Sequence, residues 1–487
     1  MAQVKSARFK QASEQAVHDP KLQHALAHVM DHFTNARAAA IAADFPEESW
    51  ESMRERAASI KAHTVERLDY YLDLLDRSVR RNGGHVHFAD NAAQASQIVL
   101  DIAKANNVKT VIKSKSMVSE EMGINQILEK NHIEPVETDL GEYIIQLAGE
   151  TPFHIIAPAM HKSRKDVSEL FERWLNTAPT EDITRLCVIA RDALREKFAI
   201  ADMGISGANF VVAETGTVCI VTNEGNGRMT TSAPRIHVAI AGMEKILPAI
   251  EDLALFLRLL PRSATGQRIT SYNAFISGPR NPSDEDGPEE FHLILVDNGR
   301  LNLLRDEVLR ESLQCIRCGA CLNHCPVYRN VGGHAYGWVY SGPIGAIVTP
   351  PMTGMEAAKD LPYASTLCGA CRDVCPVKID IPRLLLHLRH QAAEGDGKHG
   401  PVVGRLERAF IGRWRKAMRN RQAMESGARL ARLFQGPFAR GGRIRRVPLP
   451  LVGNWTKSRD LPALARKSFV ASWQERQARR VKGGEAR

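Results

Sequence analysis

The sequence has no apolar run long enough to span a membrane. The nearest approach, ILPAIEDLALFLRLL, is interrupted by Glu251, Asp252 and Arg258. The N-terminal stretch MAQVKSARFKQASEQ lacks the apolar core of a secretion signal, so a cytoplasmic location is expected. Neither a P-loop nor the dinucleotide fingerprint G-x-G-x-x-G is found, and no flavin motif or Ser–His–Asp arrangement stands out. Nucleotide-cofactor and triad chemistry therefore have no support from motifs, and no catalytic residue is assigned. No internal repeat is visible apart from two groups of cysteines.

What is present fits a globular protein of two or three domains. The chain has 487 residues, 44% of them hydrophobic and 25% charged. Its net charge of +10 is uneven. From Pro401 to Arg487 there are 22 Lys and Arg against 5 Asp and Glu, a balance of +17, which leaves −7 for the rest. A basic tail can meet nucleic acid, an anionic membrane surface or an acidic partner, or it can simply be a solvated face. No nucleic-acid recognition motif accompanies it, so no nucleic-acid role is expected.

The pattern along the chain suggests four regions. Residues 1–84 read as helical, with Asp19-Pro20 as a helix start and a second helix over roughly 48–81. Residues 85–300 alternate strands with helices, which predicts an α/β domain on a mainly parallel sheet covered on both faces. Its expected strands include TVIKS, FHIIAPAM, FVVAETGTVCIVTN (two strands and a turn), RIHVAIAG and FHLILVDNG. Residues 301–396 hold most of the cysteines between helical stretches such as LNLLRDEVLRESLQ, a helical two-cluster arrangement. Residues 397–487 are arginine-rich. There Leu406, Phe410, Trp414 and Met418 share one face of an amphipathic helix, and GPFARGGRIRRVPLPLVGNW reads as a loop.

Of nine cysteines, Cys187 and Cys219 sit alone in apolar contexts and read as buried, inert thiols. The other seven fall between residues 315 and 375, a clustering that points to metal rather than disulfides. CIRCGACLNHCP matches C-x-x-C-x-x-C-x-x-x-C-P through Cys315, Cys318, Cys321, Cys325 and Pro326. Two-residue gaps wrap a tight loop around one iron–sulfur cube, and the turn before proline carries the fourth thiolate to the other cube. Zinc also takes thiolates, but zinc sites rarely use seven cysteines in this pattern. The second group has Cys368, Cys371, Cys375 and Pro376, with Ser365 where the first cysteine should stand.

Crossed ligation predicts one cluster on Cys315, Cys318, Cys321 and Cys375, and a second on Cys325, Cys368 and Cys371, with Ser365 at its fourth position. Two 4Fe–4S clusters are expected. At the second site three outcomes stay open: a 3Fe–4S cluster, a 4Fe–4S cluster with serine, water or another ligand, or a ligand from elsewhere in the fold. Two close clusters imply electron transfer. Gly319, Ala320, Gly369 and Ala370 let backbone N–H groups approach the sulfurs.

Other candidates are weaker. Lys113, Ser114, Lys115 and Ser116 lie between a strand and a helix, where they either hold an anion or serve as ordinary caps and solvated lysines. Glu214, beside Gly216, Gly225 and Gly227, is a base or nucleophile only if it is not a structural turn carboxylate. His324 and His334 read as structural.

The α/β segment with AETGT and NEGNGR, followed by CIRCGACLNHCPVYR and LPYASTLCGACRDVCPVKI, resembles the lactate-utilisation protein B family over about residues 15–420. That family is the iron–sulfur subunit of a bacterial L-lactate oxidation system. The resemblance implies a lactate-utilisation domain similar to the CoA-transferase and sugar-phosphate-isomerase superfamily. It implies two partners, a cysteine-rich-domain subunit and a smaller protein with the same α/β domain. Together they would oxidise L-lactate to pyruvate, with this chain passing on the electrons. The family's second motif begins with serine, so Ser365 would be its ordinary state. The alternatives are a redox subunit for another 2-hydroxy acid such as glycolate, or a redox-sensing regulatory protein that binds a metabolite through Lys113 or Lys115.

Overall fold

Strands buried on both faces should be continuous apolar runs, and here they are. In the computed structural model, which describes residues 4–447, 453, 456 and 459–482, Ile236–Gly242 is buried throughout and Glu290–Val296 nearly so. Ten strands belong to the first 402 residues: β1 (His85–Ala89), β2 (Thr110–Lys113), β3 (Glu134–Glu137), β4 (Met203–Gly207), β5 (Phe210–Val212), β6 (Thr217–Thr222), β7 (Ile236–Gly242), β8 (Ile246–Leu247), β9 (Tyr272–Ile276) and β10 (Glu290–Val296). Six form a wholly parallel sheet in the order β1-β10-β7-β4-β2-β3. The helices Ala92–Ala105, Met117–Met122 and Ile124–Lys130 seal one face with Ala95, Val99, Val118 and Leu128. The backbone of β4 runs so close to the helix Asn226–Ser232 that a Cβ on Gly204 would lie 1.8 Å from the Thr230 carbonyl oxygen.

The other face packs on a second sheet, ordered β8-β5-β6-β9, in which β5–β6 and β6–β9 are antiparallel. Val211, Val218 and Ile246 of that sheet meet Ala239, Leu293 and Leu295 of the first. β5 and β6 were expected as a strand pair. They pair with one another as expected, but in this second sheet and not in the main one.

Three local expectations fail for identifiable reasons. FHIIAPAM is a turn, not a strand, because the His154 ring accepts the N–H groups of Ile156 and Ala157 and Phe153 N–H bonds the Pro158 carbonyl. The helix over 48–81 is two helices, Glu47–Glu66 and Leu68–Arg81, interrupted at Arg67 (φ −119°, ψ 36°). LNLLRDEVLRESLQ also breaks, at Asp306, whose carboxylate accepts the N–H groups of Val308 and Leu309 and starts a 3-10 turn. Asp19 caps the helix Pro20–Asp44 as expected.

Residues after Cys325 fill the gap to the second cysteine group with the almost entirely buried helix Gly342–Thr353. This segment shares one core with the N-terminal helices and with the helix Ile250–Thr265, through Leu26, Met30, Phe256, Tyr328, Ile347 and Leu385. A buried ionic chain fastens the α/β domain to the cysteine region. The fully buried Arg300 donates to both oxygens of Glu121 (2.9 Å each) and to Glu244 (2.6 Å), and Tyr340 donates to Glu121 (2.6 Å).

Residues 403–487 form a unit of their own. Its helices Arg405–Arg419 and Arg421–Phe434 are joined at Asn420, which caps the second. Leu406, Phe410, Trp414 and Met418 are exposed. Part of the expected loop, Ala439–Arg440 and Arg443–Ile444, is a short antiparallel ladder, while residues 448–452, 454 and 455 lie outside the described residues. No described helix is long and apolar enough to cross a membrane.

Burial holds two histidines neutral, lowering His154 and His237 from 6.5 to about 3. Below pH 6.5 the unfolded chain binds protons that the folded chain does not, so stability falls with pH. Between pH 7.5 and 5.5 each histidine should remove about 1 kcal/mol, seen as a lower unfolding temperature. Removing Arg300 with Arg300→Leu leaves the buried Glu121 without its cation and Glu244 with Arg317 alone. It should cost about 3–5 kcal/mol in the same measurement.

Candidate metal centre and adjoining pocket

The two cysteine groups are folded as copies of one loop, offset by fifty positions. Arg317 and Leu367 precede Cys318 and Cys368 with φ of 60° and 56°, and Gly319 and Gly369 follow with φ of 76° and 90°. Short helices then begin at Ala320 and Ala370 and pack against one another. The left-handed residues coil the chain tightly enough for backbone N–H groups to point at the first side chain of each loop. Arg317 N–H donates to Cys315 Sγ (3.4 Å), and Leu367 N–H donates to Ser365 Oγ (3.1 Å). Ser365 therefore occupies the place that Cys315 holds in the first loop.

Electrostatics divides the thiols. Cys318 is pushed up by burial and then by Cys375 and Cys315, and Cys321 by burial and then by Cys315, Cys318, Cys371 and Cys375. Burial also raises Cys375, to about 11, with Cys315 adding to the rise. Cys371 is raised to about 12 by burial, then by Cys325 and Cys368, and Cys325 by burial and then by Cys368. Cys315, Cys318, Cys321 and Cys375 thus face one another, as do Cys325, Cys368 and Cys371. Cys371 also raises Cys321, so the two groups are neighbours.

Buried thiols that repel one another's charge this strongly ionise only on a cation, and iron coordination deprotonates a thiol outright. N–H groups already aim at the sulfurs: Tyr328 at Cys325 and Ile379 at Cys375, both at 3.4 Å. The donor set therefore fits iron–sulfur groups.

Sequence reasoning missed two arginines here. Arg54 donates to the Cys375 carbonyl from Nε (3.0 Å) and Nη2 (2.9 Å), and to Asp373 O (2.8 Å). Arg37 Nη2 donates to Val374 O (3.1 Å). Both come from N-terminal helices that carry no motif. Their role depends on contacts over 300 positions away in the chain, and no local signal could have found them.

At the C-terminal ends of β2, β4 and β7 lies a cavity of about 290 Å³. In open α/β sheets this is the end where ligands bind. Lys115, Asn226, Lys245, Arg317 and Tyr340 are among its walls. Lys245 is lowered to about 8 by burial, against the pull of Glu244. Ile156, another wall residue, touches the cysteine loop: a Cβ on Gly319 would meet its side chain at 3.2 Å.

The remaining candidates divide. Lys113 holds no external anion, because it is buried against Glu137 (2.5 Å), Asn125 (2.6 Å) and Glu120 (3.4 Å). Ser116 caps a six-residue helix, and Lys115 reaches the Ile156 carbonyl at 2.6 Å. Ser114 lines the cavity. Glu214 accepts the Ile250 N–H at 3.2 Å, the structural role of a capping carboxylate. Gly216 takes the tight turn (φ 71°), while Gly225 and Gly227 lie at the start of the helix Asn226–Ser232. The ring nitrogens of His324 and His334 lie at 3.0 Å from Ala320 O and 2.8 Å from Thr151 O. Cys219 is buried, but Cys187 is exposed on the outer side of the helix Ile183–Ile200.

A parallel α/β domain joined to a helical segment with paired cysteine loops defines an iron–sulfur protein of the dicluster class. The LUD domain model matches residues 72–296, and the 4Fe-4S dicluster domain model matches residues 311–379. Lactate utilization protein B of Bacillus licheniformis is 46% identical, over 88% of this chain and 88% of that one. The proteins of the same name from Bacillus subtilis (45%, over 87% and 88%) and Geobacillus kaustophilus (44%, over 89% and 90%) are similar. The chain belongs to the lactate utilization protein B family. A crystal structure of a DUF162 family protein from Deinococcus radiodurans is 11% identical with a TM-score of 0.28, over 47% of this chain and 98% of that one, too weak a likeness to carry an argument.

His154 ties the α/β domain to the first cysteine loop, its Nε2 facing Asn323 Oδ1 at 3.0 Å. Because Nδ1 accepts two backbone N–H groups, Nε2 carries the hydrogen and donates. His154→Leu leaves these partners buried and unpaired, at a cost of about 1–3 kcal/mol. The unfolding temperature should drop, and an iron chelator should strip the variant faster than the parent.

Proposed function

We propose that the chain is the electron-transfer subunit of a system that oxidises L-lactate to pyruvate. The observation that carries the reading is the pair of similarly folded cysteine loops packed side by side. In this reading Cys315, Cys318, Cys321 and Cys375 hold one 4Fe–4S group. Cys325, Cys368 and Cys371 hold the other, with Ser365 at its fourth position. Such groups, when bound, supply one-electron storage at each site. L-lactate loses two electrons and two protons in becoming pyruvate, and two one-electron sites match that count. The partners would be a cysteine-rich-domain subunit and a smaller subunit with the same α/β domain. The names of the relatives support the substrate.

This chain's own residues have defined tasks. The backbone N–H groups of Arg317, Tyr328 and Ile379 donate to the sulfurs of Cys315, Cys325 and Cys375 and stabilise them when ionised. Arg37 and Arg54 place positive charge beside the Cys375 loop. The core around Tyr328 and Leu385 excludes water.

The test uses the anaerobically purified chain with both partners. Electron paramagnetic resonance should show signals that change on addition of L-lactate, faster than with glycolate. If no 2-hydroxy acid reduces the clusters in a cluster-replete complex, the reading is wrong. Cys375→Ala and Cys368→Ala should each remove a different signal. Ser365→Cys should alter only the signal lost in Cys368→Ala.

A further inference from the structure

Residues that line the cavity above the sheet carry more unpaired buried polar atoms than folding explains. Arg317, only 8% exposed, lies over the Tyr340 ring (4.3 Å) and gives Nη2 to Glu244 (3.3 Å). Its Nε and Nη1 are buried without an acceptor. Asn226 is 7% exposed, and its Nδ2 lies 3.4 Å from Thr138 Oγ1. The Thr138 hydroxyl hydrogen is already given to the Lys113 carbonyl (2.7 Å), so Asn226 must donate there. Its Oδ1 is left as a buried acceptor with no donor. Ser114, another lining residue, has a buried hydroxyl that is also unpaired. Lys245, a further wall residue, is only 8% exposed. Buried polar groups are normally paired, so a set of spare donors, two cations and a spare acceptor around one cavity calls for a ligand.

We propose that this cavity binds a small 2-hydroxy monocarboxylate. Arg317 and Lys245 take the carboxylate, and Asn226 Oδ1 accepts the hydroxyl hydrogen. A monoanion suits the site better than a phosphate dianion, because Asp139 and Glu224 also line it. The backbone of Arg317 donates to Cys315, two positions away, and Arg317 also lines the cavity, so the ligand meets the first cysteine loop itself. This assigns a place to the substrate of the lactate-oxidising reading on which it rests.

Calorimetric titration of the anaerobic, cluster-replete chain tests the site, with L-lactate, propionate and inorganic phosphate as probes. L-lactate should bind more tightly than either of the others. Asn226→Leu should weaken L-lactate about tenfold and leave propionate, which has no hydroxyl, within about twofold. Lys245→Met should weaken both acids about tenfold. Neither residue belongs to a cysteine loop, and iron content and unfolding temperature check that each variant is intact. The proposal is overturned if L-lactate does not bind, if phosphate binds in preference, or if water alone fills the cavity and both intact variants behave as the parent. The two readings fail separately. Binding with the expected variant pattern, but no cluster reduction with the partners present, would sink the electron-transfer reading alone. Lactate-dependent reduction undiminished in both variants would sink the cavity alone.

Discussion

The fully buried guanidinium of Arg300 is the interaction on which this architecture depends. It bridges Glu121, from the helix after β2, and Glu244, from the turn after β7. Burial alone would raise Glu244, but Arg300 and Arg317 hold it down at about 2. Glu244 thereby carries Arg317 of the first cysteine loop, and Glu121 carries Tyr340 of the cysteine region. One alternating chain of charge thus sets the α/β domain, the metal centre and the cavity in register. The pairs are too deeply buried to add much net stability over apolar packing. What they impose is a single relative placement, since any other leaves charges unpaired in a medium that cannot solvate them.

Around the metal centre the same economy of charge recurs in a looser form. The seven thiols, of which Cys368 is exposed and the others buried or half-buried, would concentrate negative charge beside an apolar core when ionised on iron. The chain answers with cations from distant segments: Arg37 and Arg54 from the N-terminal helices, Lys61 and Lys245 near Cys315, and Arg317 within the loop itself. The N-terminal helices are therefore more than packing. They complete the electrostatic surroundings of the group around Cys375.

Much of the plan was legible from local pattern. Parallel strands buried on both faces read as apolar runs, and the two cysteine loops announced themselves by spacing. FHIIAPAM misled because an apolar stretch with a histidine looks like a strand until the ring claims its own backbone. Lys113 misled because its position after a strand suits an anion, while Glu137, brought beside it by the β2–β3 pairing, consumes its charge. Cys187 misled because apolar neighbours on a helix include residues on its outer side.

The sequence by itself determined the metal-binding loops. The cysteines of each group lie within eleven residues of one another, and left-handed residues at Arg317, Gly319, Leu367 and Gly369 shape each loop locally. It also marked Ser365 as the departure from pattern. Only the tertiary structure decided what surrounds those loops. The partners of Arg54, Arg300 and Arg317 are set by packing between segments tens to hundreds of residues apart, and no local rule encodes which charges will meet. The cavity likewise exists only because β2, β4 and β7 end beside the first cysteine loop.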